Sequence, residues 1–112
     1  MKEQITYDIF DKVDIRVGTV ISVKKNEKAR KPSLVVEVDF GEEIGIRKTS
    51  AQVTVLYEKE NLLNKQVVAV VNFPKKQIAN FRSECLILGA VNVKGVNLLQ
   101  PNFKTQNGLR IL

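Results

Sequence analysis

Two apolar runs separated by a cationic crossing most constrain how this chain can fold. Val67–Val71 and Cys85–Leu88 are rich in β-branched and aliphatic residues, the make-up of buried strands. Between them lie Asn72, Pro74, Lys75, Lys76, Gln77, Asn80, Arg82, Ser83 and Glu84. Pro74 fixes φ and has no N–H to give a ladder, so the first strand is expected to end near it. A buried strand thus leads into a basic turn and back into a buried strand. The charges between them sit on a rim, where a ligand can reach them.

The rest of the chain repeats the strand pattern. From Val13 to Val23 the odd positions read Val, Ile, Val, Thr, Ile, Val and the even ones Asp, Arg, Gly, Val, Ser, Lys. Alternation of this length predicts a half-buried strand. Gly18 inside it suggests a bulge or sharp bend. Lys24–Ser33 reads as a charged loop. Leu34, Val36, Val38 and Phe40 alternate with Val35, Glu37 and Asp39 as a second strand. Gly41, Glu42 and Glu43 form a turn, and Ile44–Lys48 a third strand. Ser50–Tyr57 is ambiguous, and a short helical or turn-like connection is expected between Ser50 and Asn64. Gln66–Phe73 and Glu84–Val91 complete five strands. The expected fold is all-β, a partly open five-stranded barrel with short helical additions, in one domain over residues 1–112.

Composition narrows the function. The chain has 112 residues, 44% of them hydrophobic. A domain of this size buries roughly two-thirds of its unfolded surface, so a core forms without staples. No apolar run approaches the length of a transmembrane helix, and no membrane insertion is expected. The start, Met1–Phe10, carries acids and lacks the apolar centre of a secretory signal. Cys85, the single cysteine, excludes an internal disulfide and fits a reducing cytoplasm. In an apolar strand it reads as an inert buried thiol.

Histidine is absent from the sequence, which removes the commonest general base and zinc ligand. Neither GxxxxGK[ST] nor GxGxxG occurs. Asp39, Glu42 and Glu43 read as a solvated hairpin end rather than an acid–base pair. No enzyme activity, cofactor or metal is expected. The net charge of +6 and a pI near 9.6 favour anionic partners. Lys24–Lys31 carries five positive charges and one negative, while Val35–Glu43 carries four acids.

Four segments in order carry a resemblance: Asp14–Val20 (DIRVGTV), Leu34–Gln52 (LVVEVDFGEEIGIRKTSAQ), Val70–Lys76 (VVNFPKK) and Val67–Ala90 as a whole. Together they resemble the tRNA-binding domains that fold as an oligonucleotide-binding (OB) barrel. Within that family the chain looks most like the small stand-alone CsaA proteins, which are linked to protein export as chaperones. Many relatives have Ser-x-Gly-Met near the point where this chain reads Ser83-Glu84-Cys85-Leu86; Ser-Glu is what the CsaA type shows. The resemblance also implies a homodimer.

Two binding functions follow, and both use the basic crossing. OB barrels bind strands across one face with cationic side chains and aromatic stacking. For RNA, Lys75, Lys76 and Arg82 are the candidate phosphate contacts, joined by Arg30, Lys31 or Lys48. Asn72, Ser83 and Glu84 offer donors and acceptors for a base edge. Phe81 is the better stacking candidate and Phe73 the other. For unfolded or presequence polypeptides, Glu84 would attract basic residues while Phe73, Ile78 and Phe81 give apolar contact. Ile78 and Phe81 read equally well as barrel-end packing. The favoured reading is a CsaA-like, export-related chaperone in the cytoplasm, with a tRNA-binding accessory protein as the alternative. Val96, Leu98, Leu99, Phe103, Leu109, Ile111 and Leu112 in the tail exceed what five strands need. They can pack on the same barrel or meet a second subunit, and the second is preferred.

Overall fold

The computed structural model describes residues 1–26, 33–51, 57–78 and 81–112, with the backbone alone at 76–78 and 81. It is mostly β. In chain order come α1 (Tyr7–Phe10), β1 (Ile15–Lys25), β2 (Leu34–Asp39), β3 (Ile46–Ala51), α2 (Lys59–Leu62), β4 (Gln66–Val70), β5 (Lys76–Ile78), β6 (Phe81–Ser83), β7 (Leu86–Ile87), β8 (Gly89–Asn92) and β9 (Gly95–Leu98). One antiparallel sheet has the order β3-β2-β1-β4-β7, and β5-β6 and β8-β9 are separate hairpins. The five-stranded sheet curls into a nearly closed barrel, as the alternation predicts, and this is consistent with the OB fold that the resemblance implies. Among the described residues no helix is long and apolar enough to cross a membrane.

Inward residues of β1, β2 and β4 fill the barrel: Val20, Val23, Val36, Val38, Phe40, Val67 and Ala69 are almost wholly buried. Cys85 packs among them. The close packing explains Gly18. A Cβ there would lie 2.5 Å from Val38 Cγ1 and 2.8 Å from the Phe40 ring, so only glycine lets β1 cross the core this closely. The bulge itself falls further on, where the β1–β2 register shifts between Val20 and Ser22. Val20 keeps the inward face of Gly18, and the shift then brings Val23 inward and leaves Ile21 exposed, against the simple alternation, because an extra residue changes which face the following residues take.

Other boundaries also differ from expectation. The third strand starts at Ile46 rather than Ile44, because the turn extends to Gly45; Gly45 N–H donates to the Gly41 carbonyl at 2.7 Å. The fourth ends at Val70: Val71 N–H still donates to the Asp14 carbonyl at 2.9 Å, but Asp14 N–H goes to the Asn72 side chain at 2.9 Å instead of returning to Val71. The fifth is not continuous. β7 stays with β4, and β8 leaves to pair with β9. In the expected connection, α2 buries Leu62, while residues 52–56 lie outside the described set.

The tail is shared between two fates. Val96 and Leu98 pack on the main core, and Ile111 packs on Ile15, Val68 and Val70 on the outer face. These three residues therefore serve the chain's own barrel, because the outer face of β1 and β4 is itself apolar and needs cover. Residues 108–111 also run along β1: Gly108 N–H donates to Val17 O at 2.7 Å, Val17 N–H to Leu109 O at 3.0 Å and Ile111 N–H to Ile15 O at 2.8 Å. Leu99, Phe103, Leu109 and Leu112 stay exposed.

Closure of the barrel at β3 uses side chains. Glu84 N–H donates to Lys48 O at 2.8 Å, and Lys48 N–H returns a bond to Glu84 Oε1 at 3.0 Å. Ser50 N–H donates to Ser83 Oγ at 3.1 Å. A carboxylate and a hydroxyl thus accept where a strand would present carbonyls. The backbone N–H of Lys48, with lesser help from Lys75, holds the Glu84 carboxyl below its ordinary value of 4.5, against an opposing effect of burial. Glu84→Gln is expected to destabilise the fold by about 1.5 kcal/mol at neutral pH, the worth of a charged acceptor. Ser83→Ala should cost about 1 kcal/mol by orphaning the Ser50 N–H. Because the folded carboxyl is the stronger acid, its contribution is present above 4.5 and is lost as pH falls through the depressed folded value. Urea titrations of both chains, at neutral pH and again below pH 4.5, should show the Glu84→Gln deficit shrinking in acid.

Candidate functional site

The basic crossing leaves the barrel after Val71 and returns at Glu84. Its centre is the β5–β6 hairpin, with Lys76 opposite Ser83 and Gln77 opposite Arg82. Pro74 stands just before β5, where its missing N–H costs no ladder bond. Phe73 is 55% exposed, and Lys75 and Arg82 are exposed on the same loop. Lys48 is exposed on neighbouring β3. An exposed aromatic and exposed cations on one loop of a barrel are the residue types that stacking and phosphate contact use.

The expected polar readers are already bonded within the protein. Asn72 accepts from Asp14 N–H at 2.9 Å and donates to Lys12 O at 2.7 Å, so its amide ties the loop to the segment after α1. Ser83 is buried and also accepts from Thr49 Oγ1 at 3.4 Å. Glu84 spends one oxygen on Lys48 N–H, and the other lies 3.3 Å from Lys75 Nζ. Its side chain is 21% exposed against 54% for Lys75, so the lysine is the more accessible member of the pair. Arg30 and Lys31 lie outside the described residues, as do the side chains of Lys76, Ile78 and Phe81.

Arg47 was not among the expected site residues. Its Nη1 donates to both Val71 O and Glu84 O at 3.3 Å. It stands opposite Val38, which is wholly buried, so it shares the inward register while Ile46 and Lys48 face out. Burial pushes the Cys85 thiol up to about 12, leaving no thiolate near neutral pH.

A second concave feature lies on the N-terminal side, a cleft of about 260 Å³ whose lining includes Tyr7, Phe10, Lys12, Asn72, Arg110 and Leu112. Beside it Arg16 is held by Asp14 at 2.6 Å, Glu43 at 3.3 Å and the Gly108 carbonyl at 3.0 Å. Asn72 belongs to both places: it lines the cleft and opens the basic loop.

Known proteins share this architecture. A solved CsaA chaperone from Bacillus anthracis str. Ames is 43% identical and superposes with a TM-score of 0.93, over 98% of this chain and 100% of that one. The CsaA chaperone protein of Picrophilus torridus is 47% identical with a TM-score of 0.91, over 97% and 100%. A methionine–tRNA ligase of Thermococcus onnurineus is 34% identical over 97% of this chain, but this chain spans only 14% of that enzyme's length. The sequence profile of the family described as "Putative tRNA binding domain" matches residues 15–110. With a match over most of its length, the chain belongs to this tRNA-binding domain family.

Proposed function

We propose that this protein is a CsaA-like binding protein without chemistry of its own, whose basic loop takes a single RNA strand of the kind tRNA offers. The observation that carries this reading is that Phe73, Lys75 and Arg82 are all exposed on the one basic crossing, with Lys48 exposed on the strand that the crossing is bonded to. Glu84, the carboxylate nearest this set in sequence, is held by Lys48 N–H and Lys75. An anion approaching the rim therefore meets more free positive than free negative charge. The net charge of +6 adds long-range attraction of the same sign.

A chaperone role toward unfolded or presequence polypeptides in protein export is the second reading. The stand-alone CsaA proteins, matched over their whole length, favour it, and so do exposed Val91, Val93 and Phe103. The same tie of Glu84 to Lys48 and Lys75 argues against Glu84 as the attractor of basic peptides. The cytoplasm is the proposed compartment, in keeping with the lone unpaired Cys85.

The proposed assembly is a homodimer. Ile5, Tyr7, Ile9 and Leu112 are each more than half exposed, and the adjoining cleft carries both signs of charge, Asp11 and Asp14 against Lys12 and Arg110. A surface with apolar and doubly charged parts can complement its own copy. Sedimentation equilibrium at low micromolar concentration should give dimer mass, and Ile9→Asp should shift it to monomer; a wild-type chain at monomer mass defeats this assembly.

Binding to tRNA should weaken as salt rises. Each phosphate neutralised by a single-strand contact adds about −0.7 to the slope of log K against log salt. The double substitution Lys75→Ala and Arg82→Ala should therefore flatten the slope by about 1.4 and weaken many sequences alike. An unchanged slope would move the site elsewhere, with Lys24–Lys31 the next place to probe. Retention of an unfolded polypeptide, but not tRNA, on the immobilised protein would favour the chaperone reading instead.

A further inference from the structure

We infer that Arg47 is a positioning residue that sets the spacing between the two stems of the basic loop, and through it the placement of Phe73 and Lys75 relative to Arg82. The inference rests on the loop being the binding surface proposed above. Arg47 Nη1 reaches the carbonyl of Val71, where the chain leaves the barrel, and that of Glu84, where it returns, each at 3.3 Å. Each stem is also held separately. Asn72 is bonded to Lys12 and Asp14 on the departing side, and Glu84 and Ser83 are bonded to β3 on the returning side. Those bonds fix each stem to its own neighbour. Arg47 adds a bond across the mouth of the loop, from one stem to the other, beside the Lys75–Glu84 ion pair and the Val70–Leu86 pairing.

The chemistry of arginine suits this task. A guanidinium presents its donors in a flat, preorganised fork, which a lysine in the same place does not. Its charge also lies where the carbonyl ends of two chain segments converge, a place a neutral side chain would leave poorly satisfied. The register directs Arg47 to the barrel end beside buried Val71 rather than outward with Lys48. It is therefore a poor phosphate contact compared with exposed Lys48, Lys75 and Arg82.

Two variants test this. Arg47→Met keeps much of the length and removes every donor; Arg47→Lys keeps the charge and removes the fork. Amide hydrogen exchange is followed in the free proteins, and tRNA affinity is measured over a range of salt. In Arg47→Lys, exchange over residues 72–78 and 81–84 should quicken by about tenfold while β1 and β2 keep their protection, since the bonds lost are local. Its tRNA affinity should fall about fivefold with an unchanged salt slope, because no phosphate contact is lost. Arg47→Met should show the same pattern more strongly; if it unfolds, the lysine variant alone decides. A slope flattened by about 0.7 in Arg47→Met, with loop exchange unchanged, would make Arg47 a direct phosphate contact and overturn the inference. Unchanged exchange and affinity in Arg47→Lys would overturn it as well. Should the wild-type chain bind no tRNA, the RNA reading falls, and the exchange data still decide whether Arg47 sets the loop.

Discussion

A curled sheet has two edges, and the outer edge of β3 is the one on which this protein depends. Unpaired N–H and C=O groups along such an edge are costly when buried and adhesive when exposed. Here the returning limb of the loop seals it. Lys48 and Ser50 find partners in Glu84 and Ser83, and the core beneath, from Phe40 to Cys85, is closed over by the same contact. The loop that carries Phe73, Lys75 and Arg82 is therefore anchored by the act of closing the barrel. Stability and presentation of the candidate site are one set of bonds. Glu84 and Ser83, which the sequence offers as groups for a ligand, are occupied in holding the fold.

The strands were legible because each obeys period 2 for several residues: β1, β2 and β4 lie where alternation or an apolar run places them, and Cys85 is buried as its neighbours imply. What alternation cannot carry is a change of phase. The register shift at Ile21 reverses the faces of β1 in mid-strand, and nothing in the residue types there announces it. The split of the fifth strand is similar. Val91 looks like another buried strand residue, yet β8 has left the barrel to pair with β9 and Val91 is fully out in solvent. At the candidate site, the basic residues and Phe73 were readable from composition and from Pro74. The roles of Arg47, Asn72 and Ser83 were not, since each depends on a partner distant in sequence. Isoleucine at 46 beside arginine at 47 even points the wrong way: the apolar residue faces water and the charged one faces in.

Asn72 gives the molecule a second economy of design. It ends the barrel wall, starts the basic loop and fastens both to the segment behind α1 through Lys12 and Asp14. The aromatic and aliphatic residues around α1 are exposed on the far side of that tie. A partner copy seated there and an RNA strand held by the loop would thus share one short stretch of backbone. CsaA chaperones and a methionine–tRNA ligase contain stretches similar to this chain, and a shared fold does not by itself fix what each of them binds.

The closing residues of the chain have a protective role of their own. At Ile15–Val17, β1 pairs with β4 on one side, while its other side is covered by residues 108–111, which supply the bonds a further strand would. The pairing sets Arg16 across from Arg110, with the Asp14 and Glu43 carboxylates at Arg16 to offset the like charges. It is held by the Gly108 and Ile111 bonds and by Ile111 seated on the outer face. Residues 108–111 therefore act as a shield: they take up the Val17 N–H and the Ile15 and Val17 carbonyls, which would otherwise invite a strand from elsewhere.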